Sequence, residues 1–317
     1  MGQKAIKKQN KPVVLITGCA SGLGFALSQI LKYSCEYNVV ATCRSHRLEH
    51  LRGLLTETEH FKIKELDITD DKNIYQLVHD VCAEWGRIDV VINNAAVCYR
   101  GVVEHMDASS ELIQLKTNYL GPMSLIRAVL PIMREQRSGQ IINVSSVSGM
   151  VAMPTMGSYS ASKHALEGAT EALWYETRPF GICVNLVELG FIKSDSFNHV
   201  VLSNKAEMSQ IVKGPHSEYY ASMTPFIEKL MSLSITSAQD VALKISKIIK
   251  SKPTNLRIMA TPDVWLFSIL KRILPSGLQN RFFYWMLPGS IRWGGRWKSF
   301  TRSKAFSTTK KSVTEAV

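Results

Sequence analysis

Residues 12–33 read PVVLITGCASGLGFALSQILKY. Val13 to Ile16 are apolar without alternation, and they run straight into Thr17 and Gly18. A strand that is apolar on both faces belongs in a parallel sheet covered on both sides. Gly18, Gly22 and Gly24 punctuate the turn that follows, and FALSQILKY then has the spacing of an amphipathic helix. Strand, glycine turn and helix in that order let the backbone approach a diphosphate at a helix N-terminus, where the dipole favours negative charge. Thr17, Gly18, Ser21, Gly22, Leu23 and Gly24 are therefore the candidate phosphate cradle.

The same rhythm continues outward from this unit. NVVATCR, KIKELDI, IDVVINNA, GQIINVSS and ICVNLVEL are further strand candidates, with helices predicted over residues 71–85, 109–135 and 157–178. LRIMAT, after the helical stretch SAQDVALKISKIIKS, makes a seventh strand. The expectation is an α/β fold: a Rossmann-type, doubly wound, seven-stranded parallel sheet in three layers, with a C-terminal helical extension. Its parts are a basic arm over residues 1–11, a dinucleotide-binding catalytic domain over 12–261 and an aromatic, basic, helical extension over 262–317. Residues 194–236 break the rhythm and are expected to form a substrate loop or lid, with a helix at TPFIEKLMSL. The extension opens on Thr261 as N-cap and Pro262 in the first turn.

With 45% hydrophobic and 20% charged residues in 317, the chain is neither disordered nor low in complexity. Its six cysteines form no C-x-x-C pair, so a disulfide framework or a metal site is not expected, and a reducing compartment is. The N-terminus has no apolar leader and no stretch reaches the roughly 18 apolar residues of a spanning helix, so the expected location is cytoplasmic, at most peripheral to a membrane. The net charge of +12 sits at the two ends: four lysines and no acid in residues 1–11, and eight basic residues against Glu315 in residues 281–317. A near-neutral middle argues against nucleic acid as a partner. Trp265, Phe267, Phe282, Phe283, Tyr284, Trp285, Trp293 and Trp297 among arginines and lysines suit a membrane surface or a cap over a lipid pocket. Packing on the domain or on a second subunit is the alternative, and a homodimer or tetramer is expected.

The spacing TG-x-x-x-G-x-G at Thr17–Gly24 resembles that of the short-chain dehydrogenase/reductase family. The likeness recurs at Asn93-Asn94-Ala95-Ala96, at Asn118, at Ser146 and, thirteen residues later, at Tyr159-Ser160-Ala161-Ser162-Lys163. It covers roughly residues 12–260, and SYSASKHALEGATEAL with Glu188 resembles in particular the steroid-, retinol- and related lipid-type oxidoreductases. The resemblance implies that Asn118 holds a water in a proton relay leading to Lys163, and that Asp67 and Ile68 contact an adenine. It also implies cofactor contacts at Asn94, Gly190, Ile192 and Ser194. One departure is Leu189-Gly190 where the family usually has Pro-Gly, which predicts a looser or more mobile loop.

The chemistry asks for these residue types independently. A hydride exchanged with a nicotinamide requires a proton to move to or from the substrate oxygen, and a free tyrosine has a pKa of about 10. Lys163 is at i+4 from Tyr159, where its charge favours the phenolate. Tyr159 is the expected proton donor and acceptor, and Ser146 the donor to the developing oxyanion. An acid about 20 residues past the glycines would select NAD. Cys43 and Arg44 stand there instead, so Arg44, helped by Arg47, is expected to clamp a 2'-phosphate and select NADP(H). A solvated arginine is the alternative. Met150, Met153 and Met156, with Phe191, Phe197 and Met223, suit an adaptable apolar wall or else plain core packing. Ser146, Met153, Tyr159 and Phe191 are the expected contacts of a hydrophobic alcohol or carbonyl substrate. The rival reading is a catalytically idle nucleotide-binding regulatory or interaction protein on the same fold.

Overall fold

Along Val13–Ile16 successive side chains enter different cores: Val14 and Ile16 pack on one face of the sheet, Val13 and Leu15 on the other, all fully buried. That is the covered strand its unbroken apolar run demands. The computed structural model describes residues 11–193, 200–211, 214–290 and 293. The arm up to Asn10, Ser194, Phe197, Trp297 and the rest of the basic tail lie outside the described residues.

In chain order the first elements are β1 (Val13–Ile16), α1 (Gly22–Ser34), β2 (Asn38–Cys43), α2 (Leu48–Leu54), β3 (Phe61–Glu65), α3 (Asp71–Trp85) and β4 (Val90–Asn93). Then come β5 (Tyr99–Arg100), α4 (Ala108–Leu115), α5 (Gly121–Gln136), β6 (Gly139–Ser146), α6 (Gly157–Thr177) and β7 (Ile182–Leu189). The last are β8 (Val201–Leu202), α7 (Asn204–Ile211), α8 (Ser217–Ser232), α9 (Ala238–Ser251), β9 (Arg257–Met259), α10 (Pro262–Ile273) and α11 (Ser276–Met286). Seven strands make one parallel sheet in the order β3-β2-β1-β4-β6-β7-β9. Leu27 and Leu31 of α1 and Val241 and Ile245 of α9 cover one face. Leu77 and Val81 of α3 and Leu125 and Val129 of α5 cover the other. This is the three-layer Rossmann-type architecture that the sequence predicts.

Three details differ from the sequence reading. The helix expected over 109–135 is two helices, α4 and α5, joined by a turn of π-helix at Lys116–Leu120. At the start of α5, Gly121 packs closely on the Ile68 backbone, where a Cβ would collide with the Ile68 carbonyl. The helix placed at TPFIEKLMSL begins earlier, at Ser217, and holds Pro225 inside it. Last, β5 and β8 pair as a separate two-stranded sheet, tying the segment after β4 to the loop after β7.

Candidate active site

Strand order reverses direction at β1 and β4, so their carboxyl ends part and leave a crevice. A cleft of about 850 Å³ opens there. Its floor is the glycine turn, with Gly18 at φ +74° and Gly22 at φ +56°, values that favour glycine. A Cβ on Gly18 would stand 2.8 Å from the Ala95 Cα, and one on Gly24 would strike the Gly18 carbonyl. The Asn94 amide donates to the carbonyls of Thr17 (2.9 Å) and Gly18 (3.1 Å), while the Thr17 hydroxyl accepts from the N–H groups of Asn94 and Ala95, both at 3.0 Å. Thr17 and Asn94 thus sew the turn to β4. Ser21 makes no side-chain cap and the first turn of α1 carries no acid, so backbone N–H groups there remain for an anion. A cradle so shaped fits the diphosphate of a dinucleotide.

Arg44, His46, Arg47, Asp67 and Ile68 line the cleft at the ends of β2 and β3. Arg44 is exposed, and Asp67 is fixed by accepting from the backbone N–H (2.9 Å) and hydroxyl (2.7 Å) of Thr69.

Ser146, Tyr159 and Lys163 come together from the end of β6 and the start of α6, all lining the cleft. What docks α6 on the sheet is a buried polar chain: Asn93 donates to Asn143 at 2.8 Å, and Asn143 to Thr170 at 2.8 Å. Lys163 Nζ donates to the Val144 carbonyl at 2.9 Å and lies 5.8 Å from the centre of the Tyr159 ring. Burial pushes its ammonium down to about 8, opposed chiefly by Glu167. Burial also pushes the Tyr159 phenol above its ordinary value, partly offset by a hydrogen bond from Ser146. The phenol therefore rests protonated at neutral pH, poised to donate to a carbonyl oxygen.

Asn118 is in the π turn, 1% exposed. Its amide donates to the Val97 carbonyl (2.9 Å) and to Ser162 Oγ (3.0 Å), and its oxygen accepts from the Val97 N–H (2.9 Å). Both amide hydrogens are used, so this side chain joins the cleft wall to α6 and has no N–H to offer a water.

Residues 12–205, more than half of the chain, match the family model described as short chain dehydrogenase. The chain belongs to the short-chain dehydrogenase family. It is 33% identical over 286 residues to 3-ketodihydrosphingosine reductase of Bacteroides thetaiotaomicron, covering 86% of this chain and 97% of that protein. It is 33% identical over 273 residues to bovine (Bos taurus) retinol dehydrogenase 8, covering 83% and 86%. Among solved structures it resembles a short-chain dehydrogenase from Streptomyces avermitilis, with TM-score 0.71, 28% identity and coverage of 86% and 97%.

In this short-chain dehydrogenase the two residues that follow β7, Gly190 and Phe191, are hydrogen-bonded by Ser234, Thr261 and Asp263. Gly190 N–H donates to the Thr261 hydroxyl (2.9 Å), Phe191 N–H to the Asp263 carboxylate (2.7 Å), and Ser234 Oγ to the Phe191 carbonyl (2.6 Å). A Cβ on Gly190 would collide with the Asp263 carboxylate, which would have to move from the Phe191 N–H it accepts from. Gly190, Phe191 and Ile192 line the cleft with Met153 and Met156. The methionine segment is itself locked: Thr155 sits at φ +67°, and Arg100, 1% exposed, donates to its hydroxyl at 2.9 Å. Such a conformation costs about 1–3 kcal/mol and persists only where its surroundings hold it. Asp263, Thr155 and Arg100 were not among the candidate site residues, because each acts through a partner distant along the chain.

Proposed function

We propose that this oxidoreductase transfers a hydride between NADP(H) and a hydrophobic alcohol or carbonyl of steroid-, retinoid-, long-chain or polyketide-like character. The observation that carries this reading is the convergence of Ser146, Tyr159 and Lys163 in a cleft walled by Met153, Met156, Phe191, Ile227 and Met231. The glycine turn would hold the diphosphate, Asp67 and Ile68 the adenine, and Gly190 and Ile192 the nicotinamide end. When bound, the dinucleotide supplies or accepts the hydride. Ser146 orients the substrate oxygen, Tyr159 delivers its proton to that oxygen, and the apolar wall excludes water around them. Two relatives are named 3-ketodihydrosphingosine reductase and retinol dehydrogenase 8, names that support a long-chain or retinoid substrate here. Following NADPH absorbance with sterols, retinoids, long-chain aldehydes and aromatic ketones tests the reading: turnover of at least one is expected. Tight NADPH binding with no turnover across the panel would favour the idle nucleotide-binding protein.

Preference for NADP rests on Arg44 and Arg47 at the adenosine end, where Asp67 is the acid among the lining residues. Arg44→Ala is expected to lower the ratio of NADP to NAD affinity by about tenfold or more. Calorimetric titration of both dinucleotides measures it, and a wild-type preference for NAD would overturn the assignment.

The extension supports a lipid surface as partner. Trp265, Ile273 and Trp285 are 57%, 71% and 71% exposed, beside exposed Arg272 and Arg281. No described helix is long and apolar enough to cross a membrane. Trp265→Glu with Trp285→Glu should abolish flotation with phosphatidylserine vesicles; unchanged flotation would leave these rings for another subunit.

A further inference from the structure

Glu167 and Glu188 are 4% and 2% exposed, two carboxylates facing one cation. Arg257 of the edge strand β9 gives Nη1 to Glu167 Oε2 at 2.7 Å and to Glu188 Oε1, and its Nη2 lies 3.5 Å from Glu171. The second oxygen of Glu167 accepts from Ser145, the neighbour of Ser146, at 2.7 Å. Gly149, just beyond, leaves the room this carboxylate occupies, since a Cβ there would collide with it. None of Glu167, Glu188 and Arg257 lines the substrate cleft; they border a separate one of about 380 Å³. Their effect on the reaction must therefore pass through another residue.

Lys163 is that residue. Glu167 stands at i+4 from it on α6, on the same helix face. A buried ammonium with no anion sheds its proton readily, and a neighbouring carboxylate opposes this. Among the described residues, the other groups facing Lys163 supply no anion: the Tyr159 phenol is pushed up, and the Cys98 thiol, beyond β4, is raised to about 12 by burial, so both stay neutral. Arg100 of β5 is a cation close to Cys98. Around Glu167 stand Glu188 of β7, Glu171 of α6, Arg257 of β9 and, toward Glu188, Arg272 of α10. Arg257 supplies the cation between the two adjacent buried carboxylates, and its hydrogen bond and charge oppose the rise that burial gives Glu188.

We propose that Glu167, fixed by Arg257 and Ser145, is a positioning residue for the reaction, its carboxylate holding Lys163 as an ammonium beside Tyr159. This rests on Lys163 serving as the cation of the reacting end. The test reads Lys163 directly, in protein free of cofactor: lysine labelled with carbon-13 is titrated by NMR, and Lys163→Arg assigns the signal. The wild-type midpoint should lie near about 8. Glu167→Gln should lower it by about one pH unit or more, and Glu167→Asp should restore part of that change. Glu171→Gln, on the exposed side of Arg257, should leave it in place. Should Glu167→Gln not fold, Glu167→Asp alone should still lower the midpoint. No movement in either variant overturns the proposal. The high-pH fall in turnover should follow the same midpoints; if the NMR midpoint moves and the turnover profile does not, Glu167 still governs Lys163 but Lys163 is not the group that limits catalysis.

Discussion

Tyr159→Phe is expected to cut turnover by about a hundred- to ten-thousandfold while NADPH affinity stays near wild type. The phenylalanine ring fills the same space at the start of α6, so the cleft keeps its shape and only the O–H is lost. Lys163 Nζ is committed to the Val144 carbonyl at 2.9 Å, and Ser146 Oγ accepts from the Ser148 N–H at 3.2 Å, which fixes it as an orienting group. Steady-state rates on whichever apolar carbonyl is turned over, together with a fluorescence titration of NADPH, separate the two effects. An unchanged turnover number would remove Tyr159 from the reaction.

Arg257→Ala carries the largest expected effect on stability. It leaves Glu167 and Glu188 buried together, and Glu188 is already pushed above the usual carboxylate range by burial and by Glu167. Removing one partner of a fully buried ion pair costs about 3–5 kcal/mol. The Arg257 side chain is 35% exposed, so screening lowers the expected loss to about 2–3 kcal/mol. The pH dependence has a definite sign. In the variant Glu188 loses the Arg257 cation that lowers it, so its folded pKa stands further above the unfolded one and the native state binds more protons than the unfolded state in that window. The deficit is then fully present at pH above the raised value and shrinks as the solution is acidified toward the unfolded carboxylate pKa of about 4.3. Denaturant melts of both proteins across that range measure it. A deficit that grows on acidification would show that the two carboxylates are not the cause.

Some of this was legible in the chain before any fold was known. The strands GQIINVSS and ICVNLVEL appear as Gly139–Ser146 and Ile182–Leu189, because strands buried on both faces write themselves as unbroken apolar runs. The helix predicted over 71–85 is Asp71–Trp85, capped by the Asp70 carboxylate at one end and by Gly86 at φ +72° at the other. The π turn at Lys116–Leu120 was not legible, since the segment keeps one helical periodicity on both sides of it.

What the sequence by itself determined is the doubly wound sheet, because each buried strand and amphipathic helix carries its periodicity within itself. The glycine turn stood out at a strand-to-helix junction, and Ser146, Tyr159 and Lys163 were singled out by their resemblance to the order and spacing of the short-chain dehydrogenase/reductase family. Only the tertiary structure decided which groups hold that machinery in place. Arg257 meets Glu167 across 90 residues and Asp263 meets Phe191 across 72, pairings that leave no periodic trace. They arise because packing buries charges and loop N–H groups that must then find partners, wherever along the chain those partners happen to be.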